Sequence, residues 1–565
     1  MTGAMVMCIL RMFKFPRVAA SVCPGAVAVL FVALVLLADY AHADSTVNSG
    51  ETIYKRGILD SGAPLVAYRE GGIRMEGADA ACANCHRRSG FGVREGSIPI
   101  PPITGRYLLQ RHDRGAGNQS LPYVETMHVG HDPSYTDATL ARAIREGVDA
   151  AGKPFSYLMP QFELNDADMA ALISYLKSLD QRKSPGVTDT VLHFATIITP
   201  DVDPVKRRGM LDVIERYFAD RNAVQFAPSP RLRTSSKTSW ANTMFMVNRR
   251  WQLHVWELTG PANTWEDQLK RDFAREPVLA VVSGLGGKNW EPVHAFCEHE
   301  VLPCLFPNVE VPPVNADRDF YSLYFSKGVL LEAQLIANRI LESGNGKAVS
   351  QIYRTGESGE PAAEALSAAL RSRGVTVHTH ALAQGASGRG VTRALRKASN
   401  ADVLVLWLRP PDVAALGNPP ASPTAVFMSG LMGGLEYSPL PSSWRSRTHL
   451  AYTFDLPEKR IVPVDYALGW FAIRHIPVVD EQVQADTFLA CGLLAETLSD
   501  MADNFVPDYL VERVQDMLAH RIITGYYPHL SLAPGQRFAS KGGYVVHFAD
   551  PKDGRLIADS NWLIP

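Results

Sequence analysis

The sequence predicts a multidomain protein, a small all-α domain followed by a larger two-lobed α/β module. Three observations predict it. The chain has 565 residues, too many for one ordinary hydrophobic core. The pentapeptide Cys82-Ala83-Asn84-Cys85-His86 is followed by two helix patterns. Beyond Val191, strand-like apolar runs alternate with amphipathic helices. The composition, 46% hydrophobic and 20% charged, is that of a globular chain. A net charge of -2 without a polybasic tract argues against nucleic acid as a partner.

The N-terminus reads differently from the rest. Arg11, Lys14 and Arg17 precede an apolar run from Ala26 to Ala38, and Ala41-His42-Ala43 stands ahead of Asp44. Residues 1–43 therefore have the layout of a secretory signal peptide, and the expected location is the periplasm. The rival reading is an uncleaved anchor, since Val18 to Ala38 is nearly long enough to span a bilayer but contains Pro24. Only in that case is the membrane a partner. Five cysteines remain beyond the leader: Cys82, Cys85, Cys297, Cys304 and Cys491. An oxidising compartment makes a disulfide between Cys297 and Cys304 a fair expectation. Cys491, in an apolar helical stretch, reads as a buried small hydrophobe.

The pentapeptide is improbable by chance: the chain's own composition gives about 0.002 occurrences. Two thiols three positions apart can add to the two vinyl groups on one edge of a haem, and the histidine behind them can ligate the iron. Zinc would need a second ligand pair at comparable spacing, and the next cysteine is over 200 residues away. A thioredoxin-like thiol pair needs a strand before it, and Gly77 to Ala83 does not read as one. A local disulfide leaves His86 without a role. Downstream, Thr136-Asp137 caps a helix carrying Leu140, Ala143 and Ile144, which Gly147 ends. Asn165-Asp166 opens another, with Met169, Leu172, Ile173 and Leu176 on one face. Between them lies Tyr157-Leu158-Met159-Pro160.

From Thr52 to Leu179 the chain resembles a class I c-type cytochrome. The resemblance implies one haem c, covalent through Cys82 and Cys85. It implies axial ligation by His86 and by Met159, the loop methionine followed by proline. Met169 is the competitor on the helix, Met75 and Met127 are others, and His112, His128 and His131 keep a two-histidine site open. The segment Pro101-Pro102-Ile103-Thr104-Gly105 is similar to the family's Pro-x-Leu-x-Gly. The likeness implies that the Pro101 carbonyl accepts the second N–H of the ligating histidine and fixes its tautomer. Residues 106–135 look like an inserted loop. Arg87, Arg88, Arg94 and Arg106 read as a basic rim that steers an acidic partner, or as solvated charges. The domain is expected over residues 44–183, with a linker at 184–190.

Residues 191–565 alternate strand and helix. Strands are expected at Val191 to Thr199, Trp251 to Leu258, Pro277 to Gly284 and Val301 to Phe306. Further strands are expected at Ala348 to Tyr353, 375–382, 401–408 and 423–430. Helices are expected around 203–220, Trp265 to Ala274, Trp290 to His299, Val329 to Leu341 and Pro361 to Arg373. Such alternation implies parallel sheets with helices on both faces. The order resembles a type I periplasmic binding protein of the branched-chain amino-acid-binding kind, ending in a hairpin that turns at Pro551-Lys552-Asp553-Gly554. The resemblance implies two lobes closing on a small ligand, held at Ser283 to Lys288 and Thr355 to Glu357. The family's serine or threonine and its aromatic-glycine pair do not align with these residues.

Neither a nucleophile elbow, nor HExxH, nor a phosphate-binding loop of the Walker kind is present, so no catalytic residues are expected. The expected function is that of an electron carrier rather than an enzyme. It would pass single electrons to a periplasmic partner such as a dehydrogenase or another cytochrome. A solute receptor of an ABC transporter or sensor, with the haem as redox reporter, is the alternative. A haem enzyme such as a peroxidase is a third.

Overall fold

The computed structural model describes residues 47–565 except 96–97, 110–132, 181–183, 227–248, 314–318, 345–347, 386–387, 461–466, 502–503, 522–524 and 534. The signal-peptide reading of residues 1–43 lies outside the described residues, as do His112, Met127, His128 and His131. Two compact units separate by contact. The first holds the residues up to Asn84 and Pro133–Leu179, the second Cys85–Asp132 and Asp180–Pro565.

In the first unit, Thr136 caps the Asp137–Glu146 helix by accepting from the Thr139 N–H, and Gly147 ends it at φ 69°. Asn165 caps the Asp166–Ser178 helix, accepting from the Asp168 N–H at 2.9 Å. Such caps satisfy amides that the first turn leaves open. The inward faces follow the helical repeat: Leu140, Ala143 and Ile144 on one helix, Met169, Leu172, Ile173 and Leu176 on the other, all buried. Each large apolar side chain among them contributes roughly 2 kcal/mol by leaving water. A third helix, residues 47–56, crosses the Asp166–Ser178 helix with the backbones touching. A Cβ on Gly50 would run into the Ala171 carbonyl. The Tyr54 and Tyr175 rings pack beside this crossing, centroids 5.4 Å apart.

The expectation of an all-α domain is corrected here. Val66–Arg69 pairs antiparallel with Ile73–Glu76 and with Gln161–Glu163 in a three-stranded sheet. These strands are only three or four residues long, too short for period-2 alternation to stand out from loop sequence.

In the second unit, a small antiparallel pair, Val93–Glu95 with Ile98–Ile100, precedes two seven-stranded sheets. The first large sheet is all parallel. Its order is Asn308–Val309, Leu285–Gly286, Val191–Ile198, Ala280–Val282, Cys304–Leu305 and Ser322–Leu323, with Arg250–Glu257 also paired to Val191–Ile198. The second runs Thr376–Leu382, Ala348–Arg354, Val403–Trp407, Ala425–Ser429 and Thr448–Tyr452 in parallel. Tyr544–Phe548 and Leu556–Ala558 then close it antiparallel, as the C-terminal hairpin.

Two expected strands are shorter than their apolar runs. The run from Pro277 breaks at Ser283 (φ 54°) and Gly284 (φ 126°), and the run to Phe306 breaks at Phe306 (φ 55°). Left-handed backbone at a serine and a phenylalanine costs energy and is held by its surroundings. The chain resumes as Leu285–Gly286 and Asn308–Val309, paired with each other beyond the kinks. Cys297 and Cys304 are joined by a disulfide, with Cα atoms 6.2 Å apart. Cys491 is fully buried, and burial pushes its thiol well above the usual range.

Candidate functional site

Cys82 directly precedes a single helical turn, Ala83–His86, and Cys85 lies within it. Asn84 anchors that turn, donating to the Ala78 carbonyl at 2.8 Å. Both cysteines are half-buried. His86 is 8% exposed, and its Nδ1 stands 3.1 Å from the Pro101 carbonyl oxygen. That contact leaves Nε2 as the nitrogen for another partner. Burial holds the imidazole below its usual pKa, against the Pro101 hydrogen bond, which raises it. The ring is therefore neutral near pH 7, the form in which imidazole binds metal.

The chain behind His86 is tied into a loop. The Gly92 N–H donates to the His86 carbonyl at 3.1 Å, and the Ile103 N–H to the Gly90 carbonyl at 2.8 Å. Gly92 sits at φ 72°, and a Cβ there would collide with the Ile100 carbonyl. Glycine is what lets this strand lie against the Pro101 segment.

Met159 and Cys82 belong to the first unit, and Cys85, His86 and Pro101 to the second. Met159 is half-buried in a turn, its N–H donating to the Ser156 carbonyl at 3.0 Å, with Pro160 buried behind it. Met169 is only 3% exposed, on the inward face of its helix. Two half-buried thiols three positions apart, one just before a helical turn and one within it, and a neutral imidazole behind them are a donor set that fits a covalently attached haem.

The basic rim is redistributed. Arg88 is not a solvated charge: its Nε lies 3.2 Å from Asp508 and its guanidinium 4.2 Å from the Phe320 ring centroid. Arg87 stands 3.6 Å from Asp516. Arg106 is exposed.

The crevice between the two large sheets is built from carboxylates that the sequence did not single out. Arg409, behind Val403–Trp407, grips Glu310, behind Asn308–Val309, through both guanidinium nitrogens at 2.8 and 2.5 Å. Ser358 Oγ donates to Glu310 at 2.6 Å, and Lys206 lies 3.4 Å away. Burial would raise the Glu310 carboxyl, but Lys206 and Arg409 together hold it far below the usual range. The expected ligand loops are occupied in the same way. The Lys288 N–H donates to Asp201, the Gly356 N–H to Glu360, and Ser283 Oγ lies 3.0 Å from Thr487 Oγ1. Lys206 also lines a cavity of about 410 Å³, with Glu436, Tyr437, Arg460, Asp480 and Glu481 among others, none of them in the expected ligand loops. No local spacing announced Glu310 or Arg409, because their meeting is 99 residues apart.

Among the described residues there is no group of three or more His, Cys, Asp and Glu side chains placed to hold a metal ion. No helix among them is long and apolar enough to cross a membrane.

Comparison with known proteins bears on both parts. Residues 76–180 match the family model of cytochrome c. No match was found among curated proteins. Among solved structures, the chain is similar to a fatty acid ABC transporter substrate-binding protein from Thermomonospora curvata, at 13% identity and TM-score 0.47, over 68% of this chain and 95% of that one. It is also similar to a branched-chain amino acid ABC transporter from Thermus thermophilus with bound valine, at 11% identity and TM-score 0.47, over 67% and 97%. A leucine-binding protein from Thermotoga maritima shows 11% identity and TM-score 0.45, over 66% and 99%. The pentapeptide thus lies inside the segment that the cytochrome c family model matches, residues 76–180, ahead of a module of two large sheets.

Proposed function

We propose that the chain is an exported electron-transfer protein that passes single electrons through one haem c. Cys82 and Cys85 attach the haem covalently, His86 and Met159 hold its iron, and the Pro101 carbonyl fixes the His86 tautomer. The carrying observation is the buried, neutral His86 imidazole behind two cysteines, within the cytochrome c segment. When bound, the haem supplies a one-electron couple, whose potential a thioether ligand raises relative to a second imidazole. The chain's own work is to hold Nδ1 on a carbonyl, present Nε2, and keep water from the ring. Residues 44–183 carry this chemistry, 184–190 link, and 191–565 form an accessory module that docks a periplasmic redox partner.

The cavity beside Lys206 and Glu481 favours a second reading, in which a small molecule binds between the lobes and the haem reports on it. The first reading is better supported, because the crevice donors are already taken by the chain's own carboxylates. Replacement of Met159 by Ala tests the ligand set. It should abolish the thioether-to-iron absorption band near the red end of the oxidised spectrum. An unchanged band would exclude Met159.

A further inference from the structure

The residues behind His86 meet one face of a distant helix, Pro507–His520. Glu512, 5% exposed, accepts from the Arg88 N–H at 2.7 Å, the Ser89 N–H at 3.2 Å and the Ser89 hydroxyl at 2.5 Å. One turn earlier, Asp508 takes the Arg88 guanidinium at 3.2 Å and the Tyr321 hydroxyl at 3.0 Å. One turn later, Asp516 faces Arg87. Tyr509 packs against Phe91 with the rings tilted, centroids 4.4 Å apart. Positions 508, 512 and 516 recur every four residues, so one stripe of the helix carries all of these polar contacts.

Three donors from two consecutive residues converge on one carboxylate. Arg87, directly behind His86, is held at φ 63°, a conformation that persists in a non-glycine residue only when the surroundings impose it. The same segment fixes His86 from two other sides, through Gly92 on its carbonyl and Pro101 on its ring.

We propose that Glu512 is a positioning residue for His86: the Pro507–His520 helix grips residues 87–91 and so fixes the backbone from which the imidazole reaches a bound haem. The α/β module thereby sets the reduction potential of the site. The inference rests on the haem reading above.

The test uses the full-length, haem-loaded protein with E512A, E512Q and S89A. Hydrogen–deuterium exchange at residues 87–92 and the midpoint potential are measured together, after covalent haem has been verified for each protein. In E512A the Arg88 and Ser89 amides should exchange about tenfold faster or more, and the midpoint should shift. E512Q keeps an oxygen able to accept both amides and should recover most of both readouts. S89A, which removes only the hydroxyl donor, should show a smaller change in the same direction and serves if E512A does not fold. A lowered melting temperature with unmoved exchange and potential would reduce Glu512 to a stabilising residue of the module and overturn the proposal. An E512Q indistinguishable from E512A would overturn it as well. Absence of covalent haem would sink the haem reading instead, and the exchange result would still decide the grip.

Discussion

Glu310, half-buried, and Glu512, buried, are carboxylates that join segments far apart in the chain, yet their electrostatics are opposite. Glu310 meets a guanidinium fork and an ammonium group, and its carboxyl is held far below the usual range despite burial. Glu512 meets two amides and a hydroxyl, and burial pushes it up to about 7 in spite of them, with Asp508 adding to the rise. Neutral donors offset only part of the cost of taking a carboxylate out of water, whereas full positive charges reverse it. The crevice is therefore locked by an ion pair that persists over the ordinary pH range. The grip on the haem-motif segment is held by a group that titrates near neutrality.

Removal of Glu310 should cost the most stability. In E310A the Arg409 guanidinium, with 30% of its side chain exposed, loses its fork. Stability should fall by about 3–4 kcal/mol, measured by denaturant unfolding of the module's signal. A loss below about 1 kcal/mol would mark the pair as a solvated contact.

A pH series sharpens the other side. Because the folded Glu512 carboxyl titrates near 7 rather than at its ordinary 4.5, the folded chain keeps a proton that the unfolded chain has lost between those values. Stability therefore falls as pH rises through that window, by at most about 3 kcal/mol, and E512Q should flatten the fall. The charged and titratable groups facing Glu512 are Arg87 and Arg88 on the gripped segment, Asp508 and Asp516 on its own helix, and Tyr321 beyond Asp508. A slope identical in wild type and E512Q would show that Glu512 does not carry the dependence and pass it to another buried carboxyl, such as Asp486, which burial pushes up to about 7. The smallest effect is that of S89A, about 1 kcal/mol for one hydroxyl hydrogen bond, read as a shift in denaturation midpoint without a change in slope.

Local signals carried much of the architecture. Thr136, Gly147 and Asn165 are caps whose meaning needs only four or five neighbouring residues. The strands Val191–Ile198 and Val403–Trp407 are apolar runs whose type is set by their own composition. The first unit's sheet escaped because strands of three or four residues are too short to show a period. The kinks at Ser283 and Phe306 escaped because tertiary packing imposes them on residues that do not favour them. In the candidate site, Cys82, Cys85 and His86 are legible as one contiguous motif. Glu512 is not, since its partners lie 423 and 424 residues away and only the folded chain brings them together. Arg88 read as a free rim charge for the same reason.

The central claim is that the polypeptide carries a covalently attached haem at Cys82 and Cys85. The most direct measurement is the absorbance of the purified, fully denatured chain from cells able to mature such cofactors, beside a C82A/C85A variant. A haem spectrum should stay with the wild-type polypeptide through denaturation and acidic organic extraction, and be lost from the variant. Wild-type polypeptide stripped of all tetrapyrrole by that extraction would contradict the claim.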